Sequence, residues 1–378
     1  MLIGEFFTSP AAIGALGSLF VGVYAMVLLL LALAWYRNPD NHQAPPFLDF
    51  KPPFISVIVP YRNEAGALPA LMEALGQQHL ARGLFEVIAV NDHSQDGGRE
   101  WLAGQTLFEG TLRLINAQGI GKKNALSEGI LAAKGSLIVT VDADCIPRRG
   151  WLSAIKRCYE QTDADMLIGP VTMRVDGSFL SHFESIDYYA LQMSGASSAL
   201  LGHPVFCSGA NLAFKKVVWL ETVDKRAGAD KASGDDVFLL HAFKKLHKKI
   251  LFMRNPEAMV QTATSGSVAA FFRQRMRWGG KSTSYKDGAT IALALIVFLT
   301  NCWLVVLLGL WLFSGVSGWF FALALLIKVC ADYLLLQQGR NFFGVSYSFV
   351  KHLVYSVVYP LLLVATALGG LLLPERWK

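Results

Sequence analysis

The chain has 378 residues, 53% of them hydrophobic and 16% charged, with a net charge of +6. That length predicts two or three structural units, and the apolar excess excludes an ordinary soluble globule. A modest charge without a long basic run in a recognised module excludes nucleic acid as a partner. Five scattered cysteines without paired spacing exclude a disulfide scaffold.

The apolar excess lies in charge-free stretches, the first from Ala11 to Tyr36. Its length, with no Lys or Arg before it, predicts an uncleaved transmembrane anchor over 11–36, although Ala32-Leu33-Ala34 imitates a signal cleavage site. A polar, Pro-rich linker follows over 37–53. Phe54 to Pro60 is a buried-type strand, then come Tyr61-Arg62-Asn63-Glu64 and a helix from about Leu68 to Gln77. The next strand, Phe85 to Val90, ends in Asn91-Asp92. After a helix-like stretch from Gly97 and a strand over Leu112 to Asn116, Gly119-Ile120-Gly121-Lys122-Lys123 opens a helix to Ala133. Strand Ser136 to Val141 ends in Asp142-Ala143-Asp144. This alternation implies an α/β fold with a mostly parallel sheet and helices on both faces. Ligands of such sheets bind outside the carboxyl ends of the strands, where Pro60 to Glu64, Asn91-Asp92 and Asp142 to Asp144 all fall.

Residues two apart in a regular strand share a face, so Asp142 and Asp144 could together hold a Mg²⁺ or Mn²⁺ that in turn holds a diphosphate. The pattern alone is weak, because it recurs at Asp163-Ala164-Asp165. That second copy precedes a strand-like run instead of ending one, and reads as a helix-to-strand turn.

In the second half, Phe179 to Leu200 is helical in character, and Phe206 to Phe214 is a Gly-containing turn entering a strand. Ser233-Gly234-Asp235-Asp236 opens a helix from Val237 to Leu246, with Ser233 as a cap and the carboxylates favoured by the helix dipole. Segment 267–287 mixes Phe271, Phe272, Met276 and Trp278 with Arg273, Arg275, Arg277 and Lys281, which predicts an interfacial amphipathic element. Further apolar stretches, charge-free from Gly288 to Ile327 and from Leu353 to Leu373, predict membrane helices near 289–313, 319–336 and 350–373, with a turn at Ser314 to Gly318. Arg37 after the first membrane helix, with Lys281 and Lys286 before the second, puts the intervening region in the cytoplasm of an integral protein of a bacterial inner membrane. The tail from Glu375 to Lys378 then falls outside, which the same rule disfavours. Lys328 and Asp332 lie inside the third membrane helix, where they either pair with each other or hold a lipid headgroup.

Together these residues resemble the inverting glycosyltransferases of family 2, whose fold is the GT-A nucleotide-diphospho-sugar-binding domain. The resemblance covers about Phe54 to Lys281 and rests on five signals in order: Val59 to Glu64, Asn91-Asp92, Asp142-Ala143-Asp144, Gly234-Asp235-Asp236, and Gln274 to Trp278. It implies that Pro60, Tyr61 and Glu64 line a nucleotide pocket and that Asp92 accepts a hydrogen bond from a uracil imide. Lys122 or Lys123 would approach the diphosphate, as would Gln274 and Arg277. Asp144 would ligate the Mg²⁺ or Mn²⁺ directly, with Asp142 facing the nucleotide. Asp236 aligns with the family's catalytic base, supported by Asp235, where the family usually has Glu. Gly209, Ala210, Asn211 and Trp278 would face the acceptor. The implied reaction moves a sugar from a UDP-sugar to a lipid or glycan at the cytoplasmic face of the membrane, in a layout resembling ceramide glucosyltransferases. A processive polysaccharide synthase shares all five signals and is the alternative, although its translocation pore generally needs more membrane helices.

Overall fold

The computed structural model describes residues 10–38, 53–105, 110–223, 234–314 and 316–372. Most of the linker expected over 37–53, the capping residue Ser233, Gly315 of the expected turn and the tail from Glu375 lie outside these residues. The strands are β1 (Ile55–Tyr61), β2 (Phe85–Asn91), β3 (Leu112–Asn116), β4 (Leu137–Thr140), β5 (Ile146–Pro147), β6 (Met166–Ile168), β7 (Val171–Met173), β8 (Leu212–Lys215), β9 (Ile250–Phe252) and β10 (Val260–Thr262). The helices are α1 (Pro10–Arg37), α2 (Leu68–Gly76), α3 (Gly98–Ala103), α4 (Lys122–Ala132), α5 (Trp151–Thr162), α6 (Phe179–Leu200), α7 (Lys216–Thr222), α8 (Asp235–Lys245), α9 (Val268–Lys281), α10 (Gly288–Ser314), α11 (Gly318–Phe343) and α12 (Phe349–Leu372).

A seven-stranded sheet in the order β3-β2-β1-β4-β8-β6-β9 forms the centre, beside a small sheet of β5, β10 and β7. β1 pairs in parallel with β2 and β4, and β2 with β3, so these four strands end on one edge. β8 is antiparallel to both its neighbours. The central strands are buried on both faces, which is why they read as unbroken apolar runs. Alternation still divides them. Val57, Val59, Val87 and Val139 pack with Leu71 of α2 and Trp151 of α5. Ile58, Ile88 and Ile138 belong to a core that includes α4 and continues through Phe183 and Tyr189 to Trp35 and Phe343. One hydrophobic core thus joins the sheet domain to the apolar helices.

Four helices, α1, α10, α11 and α12, are long and apolar enough to cross a membrane. Trp35 near the end of α1 is 1% exposed and packs against Phe252, Phe342 and Phe343. The Arg254 guanidinium lies 3.9 Å from the centre of its ring and donates to its carbonyl at 2.6 Å. These contacts explain why α11 runs to Phe343, past the expected end near 336. The polar residues Gln337 to Asn341 leave the apolar stretch, but Phe342 and Phe343 gain a buried partner in Trp35. Gly344, at φ 64°, then terminates the helix.

The amphipathic helix α9 lies against α12 at a crossing made of glycines. A β-carbon at Gly370 would sit 2.4 Å from the Met276 carbonyl oxygen and 2.8 Å from the Gly280 amide nitrogen. Only a residue without a side chain allows so close an approach.

Candidate active site

The parallel strands deliver three chain ends to one place. Asp92 follows β2 and donates its amide to the Tyr61 carbonyl at 2.8 Å, locking the ends of β1 and β2 together. Its carboxylate is 2% exposed. Oδ1 accepts the Gly121 amide at 2.9 Å, whereas Oδ2 accepts no hydrogen bond and faces the Arg62 guanidinium at 3.7 Å. Beside it the Tyr61 hydroxyl is buried without a hydrogen-bond partner, and burial pushes that phenol up to about 12.

β4 ends at Thr140, so Asp142 and Asp144 stand in a turn beyond the strand and not on its face. The Cys145 amide closes that turn on the Asp142 carbonyl at 3.1 Å. Lys122, at the start of α4, reaches Asp142 with its Nζ 2.5 Å from Oδ1. Burial opposes the lysine's charge, but Asp142 outweighs that and raises its pKa. Asp144 lies deeper. Burial, and then the charge of Asp142, push its carboxyl above the usual aspartate range.

Across the cavity, Gly234 at φ 97° makes the left-handed turn that starts α8 and brings Asp235 and Asp236 to the wall. Asp236 Oδ2 accepts the Gly209 amide at 3.0 Å, and Oδ1 accepts the Val237 amide at 2.8 Å. Asp235 is pushed up by burial first and by Asp236 second. Helix α9 closes the site with Gln274, Arg277 and Trp278, all on the cavity wall.

Of the residues singled out in the sequence, Pro60, Tyr61, Glu64, Asp92, Lys122, Asp142, Asp144, Gly209, Ala210, Asp235, Asp236, Gln274, Arg277 and Trp278 line one continuous cavity of about 1840 Å³. Two do not. Lys123 lies off this wall, near Asp235, whose carboxyl it draws down. Asn211 is wholly buried: its amide donates to the Pro170 and Ala258 carbonyls, both at 2.8 Å, and accepts the Trp151 indole at 2.9 Å. It shapes the loop that carries Gly209 and has no group to offer a ligand.

Three further residues belong to the site. Arg275, inside the Gln274–Trp278 segment, is buried with its Nε 2.5 Å from Asp187, and its guanidinium lies 4.2 Å from the centre of the Trp278 ring. This pair fixes the indole's orientation. Asp187 on α6 carries no sequence signal that links it to Arg275. Lys281 also lines the cavity, and burial lowers its pKa. It continues a stripe with Arg273 and Arg277 at four-residue spacing, which is legible in the sequence as one helix face.

The carboxylates suit a hard divalent cation. Asp144 and Asp142 repel each other in a partly buried place, and Lys122 already supplies one positive charge. Among the described residues no group of three metal-ligating side chains occurs. Two carboxylates fit a cation whose remaining ligands come from a bound diphosphate.

From the acidic rim the cavity continues into the space between the apolar helices, past Leu28 of α1, Phe298 of α10, Leu335 of α11 and Leu363 of α12. Hydrophilic and apolar walls therefore share one chamber, which Asp236 and Trp278 also line.

Comparison with known proteins agrees with this geometry. Residues 56–219 match the family model described as glycosyl transferase family 2. Glycosyltransferase AglE of Haloferax volcanii is 32% identical over 121 residues, which is 32% of this chain and 40% of that protein. The undecaprenyl-phosphate 4-deoxy-4-formamido-L-arabinose transferase of Aeromonas hydrophila is 33% identical over 94 residues, covering 24% of this chain and 28% of that one. The chain thus spans less than half of the length of either relative. In overall shape it is similar to a mannosyltransferase from Pyrobaculum calidifontis, solved in complex with GDP-Man and Mn²⁺. That likeness has a TM-score of 0.59 at 19% identity and covers 95% of this chain and 99% of the other. Residues 56–219 are thus a glycosyl transferase family 2 domain by the family match, in a chain whose shape is GT-A-like and which carries four apolar helices.

Proposed function

We propose that the protein is an inverting glycosyltransferase that moves one sugar from a UDP-sugar to a lipid at the cytoplasmic face of the bacterial inner membrane. The observation that carries this reading is the single chamber running from Asp92 to the apolar helices. A nucleotide sugar enters from the aqueous end and a lipid from the membrane end, and they meet at Asp236.

In this reading the base lies between Tyr61 and Asp92, whose Oδ2 is a buried acceptor waiting for an imide N–H. Lys122, Arg277 and Lys281 gather around the diphosphate. A Mg²⁺ or Mn²⁺ on Asp144, with Asp142, would supply Lewis-acid neutralisation of the leaving diphosphate. Asp236 takes the proton of the acceptor hydroxyl as its oxygen bonds to the anomeric carbon, and the bond from that carbon to the diphosphate breaks on the opposite face. The two amides on Asp236 aim the carboxylate, and Trp278, held by Arg275, covers the incoming acceptor.

A processive polysaccharide synthase remains the second reading, because Trp278 also suits a sugar ring. The test is reconstitution in vesicles with labelled UDP- and GDP-sugars and extracted lipid, followed by sizing of the product. A single glycolipid formed from a UDP-sugar supports the proposal. A long polymer supports the second reading, and exclusive use of a GDP-sugar overturns the assignment to Asp92.

A further inference from the structure

Helix α6 carries a row of buried polar side chains. Glu184, Asp187, Tyr188 and Gln192 follow one another at helical spacing, and each reaches a different part of the second half of the chain. Glu184 Oε2 accepts the Ser265 amide at 2.9 Å and the Ser265 hydroxyl at 2.8 Å, just ahead of α9. Arg275 of α9 lies with its Nε 2.5 Å from Asp187 Oδ2. The Tyr188 hydroxyl donates to Ser208 Oγ at 3.1 Å, and Gln192 Oε1 accepts the Val171 amide at 3.3 Å. Beside them Tyr189 donates to the Leu336 carbonyl of α11. Packing alone needs none of these groups, because each costs free energy in the core unless a partner meets it. What the row supplies is position.

Tyr188 is the member of the row that reaches both partners of the transfer. Its ring centre lies 6.0 Å from that of Trp278, tilted by 45°. Its hydroxyl leads to Ser208, whose Oγ accepts the Ala210 amide at 3.4 Å and whose carbonyl accepts the Asn211 amide at 3.0 Å. Between them stands Gly209, whose amide donates to Asp236 Oδ2 at 3.0 Å and whose carbonyl accepts the Thr140 hydroxyl at 2.7 Å. The loop that aims Asp236 is therefore tied to β4 through Thr140 and to α6 through Ser208. We propose that Tyr188 is a positioning residue of the transfer. Its hydroxyl, acting through Ser208, keeps the Gly209 amide on Asp236, and its ring keeps the Trp278 indole in place. One side chain thus sets the spacing between the base and the acceptor's aromatic cover. This rests on the reading of Asp236 as the base.

The two contacts of Tyr188 can be separated. Removing the hydroxyl leaves the ring on Trp278 and takes the donor from Ser208, so the base loses its aim while the acceptor still binds. The rate falls and the acceptor half-saturation holds. Removing the ring as well frees the indole, and the half-saturation rises. A tyrosine that only filled the core would lower the thermal transition and the number of working molecules, without dividing rate from half-saturation.

The full chain in vesicles is assayed with labelled UDP-glucose, UDP-N-acetylglucosamine and GDP-mannose and stepped amounts of extracted bacterial lipid. Turnover is counted per binding site titrated by calorimetry with the matching nucleoside diphosphate. Tyr188→Phe should lower turnover about five- to twentyfold at an unchanged lipid half-saturation. Ser208→Ala should do the same, and the double variant should fall no further than either single one, because both break the same link. Tyr188→Leu should add a rise of about three- to tenfold in half-saturation. Losses that multiply in the double variant, or full turnover by Tyr188→Phe, overturn the proposal and leave Asp236 as the base, provided that Asp236→Asn is inactive. Should Tyr188→Phe not fold, full turnover by Ser208→Ala overturns it equally. An active Asp236→Asn variant, or no transfer from any of the three donors, overturns the base assignment and the proposal together.

Discussion

Asp142-Ala143-Asp144 and Asp163-Ala164-Asp165 are the same tripeptide on either side of α5, in opposite surroundings. In the second copy both carboxylates are paired. Asp163 ends α5 in a left-handed turn at φ 49°, and Lys215 bridges both carboxylates at 2.9 and 3.1 Å. Asp165 also accepts the Lys249 amide at 2.9 Å. The first copy has one lysine, on Asp142, and its deeper carboxyl is pushed up by burial and by its neighbour. The copies also stand at opposite ends of strands: one follows β4, where the parallel strands converge, and the other precedes β6. A three-residue pattern acquires its chemistry from the strand end it occupies and the cations left to it.

Substitutions that treat the two copies differently test this contrast. The largest effect is expected at the proposed base, Asp236, which shares the chamber with the first copy and not with the second. Asp236→Asn should lower transfer about 10²- to 10⁴-fold while UDP affinity by calorimetry holds, and an active variant would move the base elsewhere. Next, Asp144→Asn should weaken Mn²⁺-dependent UDP binding about tenfold to a hundredfold in a metal titration, whereas Asp165→Asn leaves it alone. Loss of binding in both would erase the distinction.

A smaller effect is expected in pH-dependent stability. Asp144 and Asp235 are raised above 3.8, so the folded chain holds protons there that the unfolded chain releases. Stability of the metal-free protein should therefore fall as pH rises from 3.8 through the raised values, and Asp144→Asn should flatten that slope in a thermal-shift series. A rising slope would contradict it. Least of all, Asp165→Asn should cost no more than about 1 kcal/mol in denaturant unfolding, because its pair with Lys215 is partly open to solvent.

Much of this contrast was legible in the sequence. β-branched runs gave the parallel strands, since both faces are buried, and the residues at their ends marked the rim. Spacing along α9 showed Arg273, Arg277 and Lys281 on one face. What could not be read depends on distant partners. Asn211 matches an acceptor-side pattern, yet Pro170, Ala258 and Trp151 consume its amide. Arg275 hides between Gln274 and Arg277 until Asp187 arrives from α6. The apolar run that set the expected end of α11 gives no sign of Trp35, which draws the helix on to Phe343.

At Gly370 the backbone of α12 rests on the backbone of α9, and nothing compressible separates them. A shift of α12 at this contact would pass directly to the turn of α9 that holds Arg277 and Trp278. A bilayer that moved α12 would in that way reach Arg277 and Trp278 without occupying any pocket. Turnover measured across vesicles of stepped thickness would register this as a tuned optimum, and Gly370→Ala would shift it.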